Sequence, residues 1–550
     1  MWFIIIFLVI IFTVKILLSW RRPSTFPPGP RGLPIVGNIL DIKRLVDETK
    51  FYSHAWCRLA DIYGPIVGLK LGLAEPLIIV SGKDAVIEMM SQSQFDGRPN
   101  GFIHKLRTGG KRKGVMFTDG EIWRDQRRFV LRTLKEFGLG NVTMEDLILN
   151  DAVSLTTMID SLAKLGPINN LYNITSIAVL NSLWTLVAGA RYAAKLISIT
   201  CNYILPKITS KHCRFDLDNP KLTEILTVVN EIIRNTNATG GILTHLPFLR
   251  YIIPGLSGFT ALNQRYTQML QFIGTEIARH KQTRTDGEFR DFIDVYLAEM
   301  DTKQSTVSSF DEEQLISVVK DLFTAGVETT NNTIGFIITY LVVCQDVQKK
   351  VHEEIDRVLG KEILPRIVYK NRYTPTQKYC LAYTINIFLL FANYSTDIRS
   401  KIFRLPYLNA TIAEVMRLAN IGPTSIPHRA LTDSVLLGYK IKKNYTLLAN
   451  LRSVHMDEQH WGDPKIFRPE RFINEKGDYV EDSWLIPFGL GHRKCLGETL
   501  ARNSVFLFTA CLLQKFQFVL PPDHPDPILD GIDGFTIAPP RLSVIVKKRK

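Results

Sequence analysis

Residues 488–498 read FGLGHRKCLGE and carry one cysteine, Cys495, with Arg493 two residues before it and Gly497 two after. A sulfur so placed is either a small apolar side chain or a thiolate able to attack or to hold a metal. A lone cysteine without a second Cys or His at zinc-ligand spacing is usually the former. Its setting argues for the latter. Phe488, Gly491, Arg493, Cys495 and Gly497 form F-x-x-G-x-R-x-C-x-G, and the run ETLARNSVFLFTACLLQKF behind it predicts a helix starting just past the sulfur. A helix N-terminus presents free amides and the positive end of its dipole, which favour thiolate over thiol. The glycines leave the backbone free to approach a flat ligand.

Two further groups carry side chains that could act together. In Ala325-Gly326-Val327-Glu328-Thr329-Thr330 a glycine and several hydroxyls interrupt an apolar helical pattern, although Gly costs a helix about 1 kcal/mol relative to Ala. Either something approaches the backbone closely there, or the glycine serves helix packing and the threonines bond back to the preceding turn. Glu414 and Arg417 stand at i and i+3 in LPYLNATIAEVMRLANIG, on one helix face. Alone, such a pair is a surface ion pair worth about 0.2–0.5 kcal/mol. Joined by Arg471 from FRPERF, it would become a carboxylate clamped by two guanidinium groups, which is rigid and directional.

These residues need a large scaffold, and the chain supplies one: 550 residues, 46% hydrophobic and 22% charged. A net charge of +14 suits an anionic membrane surface or an acidic protein partner. With no Arg/Lys run interleaved with aromatics, nucleic acid is not an expected partner. Seven scattered cysteines without zinc-type spacing argue against a disulfide scaffold and fit a reducing compartment. Residues 1–20, MWFIIIFLVIIFTVKILLSW, are long and apolar enough for a transmembrane anchor, with Lys15 able to snorkel. Arg21 and Arg22 follow that run, which argues against a cleaved signal peptide and places the following chain on the cytosolic side. Residues 21–40 are expected to form a Pro-rich hinge, in which FPPGPRGLPIVGN, Phe26 to Asn38, is stiff and non-helical; residues 41–550 are expected to form one catalytic domain. Long helical patterns alternate there with short strand-like runs, so the expected fold class is mainly α with a minor β region. The longest pattern, from Asp311 to Gly360, predicts one long buried helix followed by an amphipathic one.

A thiolate is also the axial ligand that pushes electron density onto haem iron and favours O–O cleavage. With FDGRP, W-x-x-x-R, AGVETT, E-x-x-R, PHRA, FRPERF and the cysteine loop in that order, the sequence resembles the microsomal cytochromes P450, haem-thiolate monooxygenases, over nearly its whole length. The resemblance implies haem b as cofactor, with Cys495 the proximal iron ligand and Phe488 in its loop. It implies that Arg98, Trp123, Arg127, His428 and Arg493 hold the haem propionates, since two enclosed carboxylates require cationic and donor groups. By the same resemblance Glu414, Arg417 and Arg471 are the structural triad behind the haem. Glu328 and Thr329 are the acid–alcohol pair of proton delivery, and Ala325 and Gly326 shape the oxygen pocket. It further implies the cytochrome P450 fold, an endoplasmic reticulum membrane location with the catalytic domain cytosolic, and electrons from NADPH through a separate reductase. Phe323, Ala325, Thr424 to Ile426 and Phe535 fall where such proteins line their pocket, and they are mostly apolar or small, which points to a lipophilic small-molecule substrate. The body most resembles insect-type members, the group that includes methyl farnesoate epoxidase, so that epoxidation in juvenile hormone synthesis is the candidate reaction. Steroid or xenobiotic hydroxylation is the alternative within the class. An O2-independent haem-thiolate isomerase is a further alternative, disfavoured by the retention of Glu328 and Thr329.

Two stretches depart from the family pattern. Residues 192–213, YAAKLISITCNYILPKITSKHC, and residues 373–403, YTPTQKYCLAYTINIFLLFANYSTDIRSKIF, each follow an arginine, open with tyrosine and end just before another arginine. If Arg191 and Arg372 are encoded AGG before a TAY codon, each junction reads as a splice donor; Arg214 and Arg404 beginning with AG would close each as an acceptor. Both stretches are therefore expected to be translated, unspliced introns, and deleting their 22 and 31 residues leaves 497 of the 550. Apolar runs such as NIFLLFANY also make poor solvent-facing loops. If both stretches persist in the protein, the second precedes the Glu414 helix and would threaten haem binding, giving a disabled product.

Overall fold

The computed structural model describes residues 2–3, 25–137, 142–169, 171–189, 220–285, 287–302, 309–367 and 405–549. The expected anchor apart from residues 2–3, both expected inserts, and Cys201, Cys213 and Cys380 lie outside the described residues.

The chain is mainly helical. Its longer helices are α1 (Ile39–Thr49), α2 (Tyr52–Tyr63), α3 (Lys83–Ser91), α4 (Gly120–Glu136), α5 (Val142–Ala163), α6 (Leu171–Ala188), α7 (Pro220–Arg234) and α8 (Phe259–Thr283). They continue with α9 (Phe292–Thr302), α10 (Glu312–Val343), α11 (Gln345–Val358), α12 (Pro406–Ala419) and α13 (Glu498–Lys515). The minor β region comprises β1 (Ile66–Leu69), β2 (Leu77–Ser81), β3 (His428–Arg429), β4 (Ser434–Leu436), β5 (Tyr439–Ile441), β6 (Thr446–Asn450), β7 (Phe516–Val519) and β8 (Ile545–Lys548). One sheet runs β1-β2-β6-β3, with β2 and β6 parallel and Ile79 opposite Leu448; β4–β5 and β7–β8 are separate antiparallel pairs.

The predicted pair of helices after Asp311 is present as α10 and α11. Asp311 caps α10 by accepting from the Gln314 amide at 2.8 Å, and Glu312 and Glu313 sit at the positive end of its dipole. α10 is buried along most of its 32 residues because α6, α8, α12 and α13 all pack around it. α6 is apolar enough to pass for a membrane span by length and hydropathy, yet 78% of that window is inside the protein, as in a core helix. The Pro-rich connector after Thr25 carries no helix before Ile39. It lies against β1, where the Gly68 amide donates to the Pro28 carbonyl at 2.7 Å and a side chain at Gly68 would collide with the Phe26 ring.

Candidate active site

The predicted helix behind the cysteine loop is α13, and the loop is folded by its own backbone. The Cys495 amide donates to the Phe488 carbonyl at 2.9 Å, and Lys494 N to Gly491 O at 3.2 Å. Gly491 has φ +68° and a Cβ there would strike the Met90 carbonyl, so only glycine fits. Gly497 differs: a Cβ there would meet no protein atom, and the residue lines a cavity of about 400 Å³. That is the open cradle a flat ligand needs. Phe488, Arg493, Cys495, Leu500 and Ala501 line the same cavity, with Arg502 over the Phe488 ring at 4.9 Å.

Cys495 lines the cavity, where burial pushes its thiol up from the ordinary value and the Gly497 amide opposes. A metal cation at the sulfur would reverse this balance.

Across the cavity lies the middle of α10, contributing Ala325, Gly326, Glu328, Thr329 and Thr330. Both readings of the glycine are met at once: a Cβ on Gly326 would come within 2.8 Å of Leu183 Cδ2 on α6, and Gly326 also faces the cavity. The Thr329 hydroxyl donates back to Ala325 O at 2.7 Å. Glu328 is buried, and burial pushes its carboxyl up while the Arg234 guanidinium pulls it down. Its Oε1 accepts from Arg234 Nη2, from Thr536 Oγ1 at 2.9 Å and from Asn332 Nδ2 at 3.3 Å. Asn332 Oδ1 in turn accepts from the Tyr172 hydroxyl at 2.6 Å. Glu328 Oε2 is buried without a hydrogen-bond partner. The sequence pointed to Glu328 but not to this network. Asn332, one turn later on α10, was within reach of helical spacing; Arg234, Thr536 and Tyr172 come from distant segments and left no signal.

Arg98, Arg127, His428 and Arg493 are brought together at the cavity wall. Arg98 Nη1 donates to the Ile426 and Pro427 carbonyls at 3.0 Å, and Arg493 reaches the Asp96 and Thr118 carbonyls at 2.9 Å. His428 Nδ1 lies 2.7 Å from Phe95 O. Trp123 does not line the cavity; its ring lies under Arg493 at 3.7 Å and Arg127 at 5.9 Å. Burial and mutual repulsion press Arg98 and His428 well below their ordinary values, and Arg493 is lowered to about 10. So many enclosed cations with so little carboxylate among them form a cradle for a dianionic group. The residues present therefore fit haem: a cysteine sulfur on one face, an open glycine surface, and donors for two propionates.

Behind the loop the triad is assembled and buried rather than superficial. Arg417 Nε and Nη2 donate to the two Glu414 oxygens at 2.7 Å, with both side chains 0% exposed. Arg471 Nε donates to Glu414 Oε1 at 3.2 Å and Nη1 to Trp461 O at 2.6 Å. Arg417 Nη1 also ties down the His455 and Pro464 carbonyls at 2.9 and 2.8 Å. Of the expected wall residues, Ala325, Thr424, Ser425, Ile426 and Phe535 line the cavity, whereas Phe323 points to the α6 side against Trp184.

Comparisons with known proteins match this geometry. The family model for cytochrome P450 covers residues 27–372 and 393–546. Farnesoate epoxidase of Bombyx mori is 34% identical over 535 residues, 96% of this chain and 95% of the relative. Probable cytochrome P450 303a1 of Drosophila melanogaster is 31% identical over 543 residues, 96% of each. Cytochrome P450 2U1 of Mus musculus is 31% identical over 562 residues, 98% of this chain and 94% of the relative.

Proposed function

The chain belongs to the cytochrome P450 family of haem-dependent monooxygenases fed with electrons from NADPH through a reductase, and on that premise we propose that it epoxidises a farnesoate-type terpenoid at the endoplasmic reticulum membrane. The observation that carries the proposal is the cavity itself: Cys495 and the cationic cradle at one side, Glu328 and Thr329 across from them, and apolar walls between. The name of the Bombyx mori relative supports the terpenoid substrate, and fold likeness alone would not.

In this reading Cys495 would hold the iron, and Arg98, Arg127, His428 and Arg493 would hold the propionates, with Trp123 supporting Arg493. When bound, haem supplies activation of O2, one atom entering the substrate and the other leaving as water. The residues of the chain do the rest. Ala325, Gly326, Leu183, Val187 and Phe535 exclude water and present an apolar surface to the substrate. The Thr329 hydroxyl stands at the cavity to pass a proton, and Glu328, fixed through Oε1 with Oε2 unpaired, is the acid that resupplies it. Glu414, Arg417 and Arg471 keep the segment preceding the cysteine loop in register.

Residues 1–20 serve as the anchor and 21–40 as the hinge in this proposal, with 41–550 the catalytic domain. The net charge of +14 suits the acidic docking face expected of a reductase. Residues 192–213 and 373–403 are proposed as translated introns; the break in the family match at 373–392 supports this for most of the second, whereas the match runs through 192–213. The test is NADPH-dependent oxygen consumption with a reductase and methyl farnesoate. Epoxide formed in step with oxygen use is the expected result; oxygen-independent conversion, or consumption without product, would refute the assigned reaction.

A further inference from the structure

Behind the cavity, α6, α10 and the loop between β7 and β8 meet in a run of buried polar side chains: Thr175, Asn331, Asn332, Glu328 and Thr536. Glu328 and Asn332 stand at i and i+4 on α10, so they share one face of the helix. Arg234 Nη2, the Thr536 hydroxyl and Asn332 Nδ2 all converge on Oε1 of Glu328. That oxygen is thereby filled, and a proton carried by the carboxyl sits on Oε2, which is buried without a partner.

Asn332 can donate to Oε1 only while its amide faces the right way. Its Nδ2 meets two acceptors, Glu328 Oε1 at 3.3 Å and Ile537 O at 3.0 Å, whereas its Oδ1 meets the Tyr172 hydroxyl at 2.6 Å. Turned over, the amide would set its oxygen against both acceptors. Tyr172 is itself anchored. Its carbonyl accepts from Asn331 Nδ2 at 3.1 Å, and Asn331 Oδ1 accepts from the Thr175 hydroxyl at 2.6 Å. A Cβ at Gly335 would come within 2.7 Å of Pro539 Cγ and 3.3 Å of Tyr172 Cδ2, so this glycine lets the ring and the loop close on α10. Burial and the nearby Glu328 carboxylate push the Tyr172 phenol up to about 12, so it keeps its proton and remains a donor at neutral pH. Two adjacent asparagines of α10 thus hold one tyrosine of α6, and that tyrosine orients the second of them.

We propose that Tyr172 is a positioning residue for proton delivery: through Asn332, its hydroxyl keeps Oε1 of Glu328 supplied with donors and the transferable proton on Oε2. The proposal rests on Glu328 as the resupplying acid and deepens that assignment. Without the phenol oxygen, Asn332 Oδ1 is a buried acceptor with no partner, its amide loses its fixed orientation, and its bond to Oε1 is given up. Arg234 of α7 is the charged group that faces Glu328 among the described residues, and this change leaves it in place. Loss of the Asn332 donor, which lowers the Glu328 carboxyl, therefore raises that carboxyl.

Infrared difference spectra of the full chain, titrated in pH, read this without turnover. The Glu328 carboxyl band is identified by its loss in Glu328→Gln. In Tyr172→Phe its titration midpoint should move upward by about half a pH unit or more. Asn332→Leu should do the same, and adding Tyr172→Phe to Asn332→Leu should move nothing further, because the tyrosine acts through the asparagine. Product formed per oxygen consumed should fall about threefold or more in Tyr172→Phe, with substrate binding within about twofold of wild type. An unchanged midpoint in Tyr172→Phe, or a further shift in the double variant, would overturn the proposal. Failure of the monooxygenase reading would show separately, as no NADPH-dependent oxygen use by the wild type while the infrared shifts persist.

Discussion

Arg234 decides how far the Glu328 carboxyl follows its burial, because burial raises that group and Arg234 is the largest influence lowering it. Replacing Arg234 with Met should raise the Glu328 carboxyl further and leave more of it protonated at neutral pH. As the acid that resupplies the proton, Glu328 would then stay protonated to higher pH, so the descending limb of the pH–rate profile should move to higher pH; an unchanged profile would remove Glu328 from proton delivery. A second carboxyl offers a clean stability test. Burial pushes Glu145 up to about 7, with the Ile367 amide and Arg366 opposing. Its folded value lies above the unfolded one, so its contribution is complete below the ordinary carboxylate range and is lost as pH rises through about 7. Glu145→Gln should therefore match wild type near pH 5 and be more stable near pH 8 by about 1–2 kcal/mol after allowance for solvent screening, as read by denaturant midpoints. At this scale the sequence was legible where chemistry is local: Cys495 and Glu328 stand in motifs with helical or loop spacing. Arg234 and Thr536 were not, since their meaning comes from neighbours that only folding supplies.

At the scale of elements, the triad is where one helix holds another segment in place. Glu414 on α12 anchors Arg417 of the same helix and Arg471 of the following loop, all inside the protein. Glu414→Ala would strand two buried guanidinium groups, a loss of about 3–5 kcal/mol, visible as a lowered unfolding midpoint and loss of bound haem. Wild-type stability in that variant would mean the ion pairs are dispensable. Helical periodicity made α10, α11 and α13 readable in advance because each keeps a continuous pattern over several turns. The sheet was not readable: β2 pairs with β6, whose residues lie more than 360 positions later, and no local pattern encodes such a partner. α6 shows the opposite hazard, since a helix apolar on every face reads as a membrane span until its neighbours are known.

For the whole molecule, the cavity and the triad belong together in a haem monooxygenase of the cytochrome P450 family, with the cysteine loop on one side of a single chamber and the middle of α10 on the other. Overall class was legible because its motifs occur in a recognisable order along the chain, whereas the buried Arg107–Asp321 pair was hidden by the distance in sequence between its partners. Sequencing the transcript across both junctions tests the proposed introns: mature message that keeps residues 192–213 and 373–403 would refute that reading. The proposed chemistry rests on Cys495. The reduced, carbon-monoxide-bound absorbance spectrum of the haem-loaded protein should show a thiolate-type Soret band, and Cys495→Ser should abolish that band while still binding haem or losing it altogether. A band of the same type persisting in Cys495→Ser, or absent from the haem-loaded wild type, would contradict the assignment of this cysteine and with it the proposed chemistry.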